Sequence, residues 1–143
     1  MTAVIMPDLT EWLVDWLYEQ LEARPEPFAS GVVVSNREPD AASEDFPKRL
    51  VVIGDSGATD RELLLADASV RVSTLAGSKE APKECGDLAR LVHALIRDCA
   101  RAEQGNPVAR VLASRGPMSV LEDHPRARRL STFDIAVVGS QLV

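Results

Sequence analysis

Aromatic residues make up only 4% of this 143-residue chain, two tryptophans, three phenylalanines and one tyrosine. Positive charge is also short: 16 Lys and Arg stand against 22 Asp and Glu, for a formal net charge of -6. A chain of that balance does not draw phosphates by its overall field, which disfavours sequence-general nucleic-acid binding. No apolar run approaches the ~20 residues that cross a bilayer. Met1 to Pro7 lacks the basic flank and apolar stretch of a secretory leader, so synthesis in the cytoplasm is expected.

Cysteine and histidine are scarce, two of each. Cys85 and Cys99 fall in one expected helix, where fourteen positions at ~1.5 Å each hold them about 21 Å apart, too far to bridge. Both are expected to be buried free thiols beside leucines and not metal ligands. There is no phosphate-cradling glycine loop, metal-ligand cluster or dinucleotide fingerprint, so neither cofactor nor metal is expected.

What is present suits one domain covering residues 1–143, with 45% hydrophobic and 27% charged residues. Asp8 or Thr10 caps a first helix to about Ala23, in which Leu9, Trp12, Leu13, Trp16, Leu17 and Leu21 recur at helical spacing. Arg24 to Pro27 stops it. Gly31 to Ser35 reads as a short strand, and Arg37 to Pro47 as a mobile acidic excursion carrying Glu38, Asp40, Glu44 and Asp45. Lys48 to Asp55 and Ala68 to Leu75 read as strands, with Leu63 to Leu65 open between an early strand start and a helical turn. Pro82 opens a long amphipathic helix to about Glu103, ended by Gly105, Asn106 and Pro107. Two strands follow, about Ala109 to Arg115 and Ser131 to Gly139. Clustered strands predict an α+β fold: a mixed, mostly antiparallel sheet of about five strands with two main helices on one face.

Two features carry chemistry. Gly54, Asp55, Ser56 and Gly57 follow a strand and resemble the first block of the GDSL hydrolases, whose serine nucleophile needs a histidine base and an orienting acid. The later blocks are missing: Asp123 directly precedes His124 where that family places an Asp-x-x-His, and Gly105 to Pro107 do not supply a Gly-x-Asn-Asp. Asp, Ser and Gly in series more often make a turn. The second feature is a local excess of arginine, Arg126, Arg128 and Arg129 with Arg110 and Arg115 nearby, in an otherwise acidic chain. A positive surface there on one copy suits the acidic loop Glu38, Asp40, Glu44 and Asp45 of the next, a head-to-tail association.

The order of elements resembles the tail terminator proteins of long-tailed bacteriophages. In that family an amphipathic N-terminal helix precedes a strand pair, and a later strand leads through a short loop into a long helix. The counterpart here is Val70 to Ala76, Gly77, then Glu84 to Arg97 with Leu88, Ala89, Leu91, Val92 and Leu95; Gly77 to Lys79 stand where many relatives have an aromatic or acidic turn. The resemblance implies a virion protein without catalytic residues. It would form a ring, usually hexameric, on the tail tube, stop tube polymerisation and join the tail to the head connector, with DNA passing unbound through its bore. Another neck component, a head-closure or tube protein, is the nearest alternative, and a small serine hydrolase using Ser56 the more distant one.

Overall fold

A computed structural model describes residues 3–142. Its elements are β1 (Val4–Ile5), α1 (Leu9–Glu22), β2 (Val33–Ser35), β3 (Arg49–Asp60), β4 (Leu65–Ala76), α2 (Lys83–Arg97), β5 (Val108–Ser119), β6 (Ala127–Val138) and β7 (Ser140–Gln141). Strands β2 to β6 form a five-stranded sheet in the order β2-β3-β4-β6-β5, and β1 pairs with β7 in a separate ribbon. Only β2 runs parallel to its neighbour; the other pairs of the large sheet are antiparallel. The fold is the expected α+β arrangement, with α1 and α2 packed against the same face.

Alternation in β4 and β6 decides which face that is. In β4, Ala66, Ala68, Val70, Val72 and Thr74 are buried while Ser69, Arg71 and Ser73 alternate with them; in β6 Ser131, Phe133, Ile135 and Val137 are buried. Strand side chains point to opposite faces in turn, so the buried sets share the face that meets the helices. Helix α1 brings Leu9, Leu13, Trp16, Leu17 and Leu21 to it, and α2 brings Cys85, Leu88, Val92 and Ile96. Each fully buried Leu or Phe contributes about 1.5–3 kcal/mol, so this single core accounts for the cohesion of both layers.

The boundaries differ from expectation in instructive places. The Asp8 carboxylate accepts a hydrogen bond from the Glu11 amide (3.1 Å), which fixes the start of α1. Helix α2 ends at Arg97, six residues before the expected Glu103, so Cys99 lies outside it. Beyond that end the Asn106 amide donates to the carbonyls of Cys99 (2.9 Å) and Arg101 (3.0 Å), folding residues 98–106 back into a loop. Strand β3 runs five residues past Asp55, because β4 offers it a partner as far as Asp60. Leu65 opens β4, and Leu63 and Leu64 sit exposed at the hairpin tip.

The excursion at 37–47 is pinned. Phe46 packs against His124 (ring centroids 5.2 Å) and Glu38 reaches Arg128. Among the described residues no helix is long and apolar enough to cross a membrane.

Candidate interaction surfaces

Arg128 stands on the face of β6 turned away from the helices, in register with Leu75 of β4. One of its terminal nitrogens donates to both carboxylate oxygens of Glu38 (2.7 and 2.7 Å), and its Nε donates to Glu122 (2.6 Å). Desolvation pulls the guanidinium down, and the hydrogen bonds to Glu122 and Glu38 more than reverse this, leaving its pKa above the ordinary arginine value. The opposite charges expected to meet across a boundary between copies therefore meet, at this pair, inside one chain.

Its neighbours are similarly engaged. The Arg126 amide donates to His124 Nδ1 (3.0 Å), while its guanidinium donates to the Lys48 carbonyl (3.3 Å) and lies 5.5 Å from the Phe46 ring centre. Arg129 donates to the Ser119 hydroxyl across the β5–β6 ladder. Asp40 accepts from the Ala42 amide (3.0 Å), a local turn contact, whereas Glu44 and Asp45 are exposed and form no ion pair among the described residues. Loops 36–48 and 120–126 thus close over one end of the open sheet face and bury Leu50 and Leu75 there, where both are at most 1% exposed. His124 is 6% exposed under the same cover, and its Nε2 has no hydrogen-bond partner among the described residues.

Ser56 sits in a β-bulge of β3, between Asp55 opposite Val70 and Ala58 opposite Ala68. The turn chemistry expected for Asp-Ser-Gly is what forms: the Gly57 amide donates to Asp55 Oδ1 (2.7 Å), and Gly57 takes φ +96°, a conformation that glycine adopts freely. The chain's two histidines are occupied elsewhere. His124 accepts from Arg126, and His93 Nδ1 meets the Ser131 hydroxyl at 2.9 Å beneath α2, beside Phe133 (ring centroids 4.9 Å). Neither hydrogen-bonds Ser56. The His93–Ser131 contact joins positions 38 apart and left no mark in the sequence pattern.

Both thiols are buried as expected. Cys85 Sγ lies 3.2 Å from the Thr74 carbonyl and 3.3 Å from that of Ala127, donating to one of them at a time. Burial raises its pKa and pushes that of Cys99 up to about 11. Among the described residues no three His, Cys, Asp or Glu side chains converge into a metal site.

Among the concave surfaces of the described residues, two bear on association. A groove of about 570 Å³ runs between the start of α1 and residues 105–107, walled by Asp8, Glu11, Trp12 and Asp15. A second, of about 340 Å³, lies on the open face of the sheet over Val52, Gly54, Ser73 and Leu130, with Arg71 at its edge. Comparison with known proteins adds no name to these surfaces, since neither a protein-family model nor a curated protein matches the chain.

Proposed function

We propose that this protein is a structural subunit of a bacteriophage tail, of the terminator class, which assembles head-to-tail into a closed ring, hexameric in the form the resemblance implies. The ring covers the exposed end of the tail tube, ends its polymerisation and offers a different surface to the head connector. DNA passes through its bore without specific binding, and the subunit works in the virion after assembly in the host cytoplasm. The observation that carries the reading is the order of elements around α2. Strand β4 ends at Ala76, a six-residue turn follows, and α2 begins at Lys83, after an amphipathic first helix and a strand pair. This is the arrangement on which the resemblance rests.

The physical layout supports the same reading. The open sheet face, the hairpin tip at Leu63 and Leu64, and the tied loops 36–48 and 120–126 are distinct surfaces on one small body. A ring subunit needs such unlike patches, one for each neighbour and others for the partners above and below. On those tied loops Glu44 and Asp45 are exposed and form no ion pair among the described residues, so they are the part of the rim offered to a partner, while Arg126, Arg128 and Arg129 are engaged within the chain. No cofactor and no catalytic residue enter this function; its action is steric.

Adding the purified protein to polymerising cognate tail-tube protein tests the reading. Tubes that shorten in proportion to added protein, each with density at one end, support it. Binding to the head connector with no effect on tube length would instead indicate a head-closure component.

A further inference from the structure

Helix α1 and the open face of the sheet carry unrelieved charge of opposite sign. Residues 9–22 include Glu11, Asp15, Glu19 and Glu22 and no basic residue. All four are exposed, and none is ion-paired among the described residues. Like charges at such helical spacings weaken a helix by about 0.2–0.5 kcal/mol per pair, so the stripe works against α1 in the isolated subunit. Positions 11, 15, 18 and 22 lie along one line of the helix, which puts Tyr18, 48% exposed, in the middle of the acidic stripe.

The sheet face opposite the helices carries arginines without an ion pair, while its carboxylates are engaged within the chain: Asp67 by Arg61, Glu38 and Glu122 by Arg128, and Asp134 by Ser69. Strand β5 contains Arg110 and Arg115 and no acid. Register sets Arg71 of β4 and Arg115 of β5 on either side of Thr132 of β6, with Arg110 further along β5 opposite Ala136. At about 4.8 Å per strand the backbones of Arg71 and Arg115 are roughly 10 Å apart. All three arginines are exposed, and none is ion-paired among the described residues. Asp134, a near carboxylate by register, accepts from the Ser69 hydroxyl (2.6 Å) and forms no ion pair either. Beside Arg71 lies the groove of about 340 Å³ lined by Val52, Gly54, Ser73, Val120 and Leu130, with the carboxylates of Glu38 and Glu122 in its wall already held by Arg128, and its volume admits an aromatic ring.

From this complementarity we infer that the open sheet face of one copy receives the α1 stripe of a second copy, Tyr18 in the groove and Asp15 and Glu22 against Arg71 and Arg115. The inference rests on the ring reading and gives it an interface. Because α1 covers the other face of the same sheet, each copy docks front to back. Such a contact uses two different patches and repeats until the rotation closes it. An exposed aromatic at the centre of a charged rim is the usual composition of an interface hot spot.

The test is a charge swap, read as solution mass by light scattering and as association constant by sedimentation at low salt. Arg71→Glu/Arg115→Glu and Asp15→Lys/Glu22→Lys each juxtapose like charges, and each is expected to weaken self-association by about ten-fold or more. Mixed in equal amounts, the two variants regain the wild-type mass, since every sheet face then finds a stripe of opposite sign. A chain bearing all four substitutions regains it too. Recovery on mixing is something that misfolded variants cannot give. If the wild type assembles and the paired variants assemble as well as it does, the docking is wrong and the ring stands. A wild type that stays monomeric, alone and with tail-tube protein, overturns both.

Discussion

Glu38 and Arg128, 90 positions apart, join two loops through a bidentate contact of 2.7 Å to each carboxylate oxygen. The arginine side chain is only 12% exposed, and Glu122 holds its other edge. A fork so enclosed fixes direction as well as distance, and the cover over Leu50 and Leu75 depends on it. Arg128→Ala leaves two carboxylates without their donor and loosens that cover. A loss of about 1–3 kcal/mol is expected, measured by denaturant unfolding, with faster amide exchange in residues 36–48. Arg128→Lys recovers little of it, because an ammonium cannot bond both carboxylates in that plane.

The thiols give a second expectation. Cys99, with its pKa near 11, and Cys85, raised by burial, are almost wholly protonated at pH 8. The thiolate is the reactive form. Ellman's reagent should therefore label neither thiol in the native protein over minutes and both within seconds in denaturant. Prompt labelling of one thiol under native conditions contradicts the packing described for it.

His93 gives a pH dependence. Burial first, and then the nearby positive charge of Arg97, lower its pKa from the ordinary value of 6.5. The unfolded chain then binds a proton that the folded chain refuses between the lowered value and 6.5, so stability falls as the pH drops through that window. His93→Gln removes the titration while keeping a polar partner for Ser131. The urea midpoint of the variant should change less than that of the wild type between pH 7 and pH 5.

Ser56 supplies the test against hydrolase chemistry. It is exposed in a bulge and hydrogen-bonded to neither histidine. Ser56→Ala should alter stability by no more than about 0.5 kcal/mol. Fluorophosphonate probes should leave the wild type unlabelled. Labelling that Ser56→Ala abolishes contradicts the structural-protein account.

Much of the fold was legible because local pattern and burial agree. Asp8 followed by Leu9, Leu13, Leu17 and Leu21 specifies an amphipathic helix and its cap, and Val70, Val72, Phe133 and Ile135 alternate as half-buried strands do. Ser56 to Asp60 was not legible as strand. Its residues are polar or small and all exposed, so no alternation marks it, and only pairing with β4 extends it. The end of α2 was misplaced because buried Cys99 continues the apolar pattern past Arg97, while residues 98–106 form a loop that Asn106 holds through the carbonyls of Cys99 and Arg101.

For the site, the residue types were visible and their pairing was not. Arg128 and Glu38 stood out as opposite charges, yet which copy each would meet is a tertiary fact. The α1 stripe could have been read from spacing alone, but its counterpart needed the register that sets Arg71 beside Thr132 and Arg115.

The most direct test of the central claim is the solution mass by light scattering over a concentration series, with and without tail-tube protein. The account predicts a discrete species near six subunits, reached alone or on addition of the tube, with no larger open polymer. A mass fixed at that of one subunit under both conditions would contradict it.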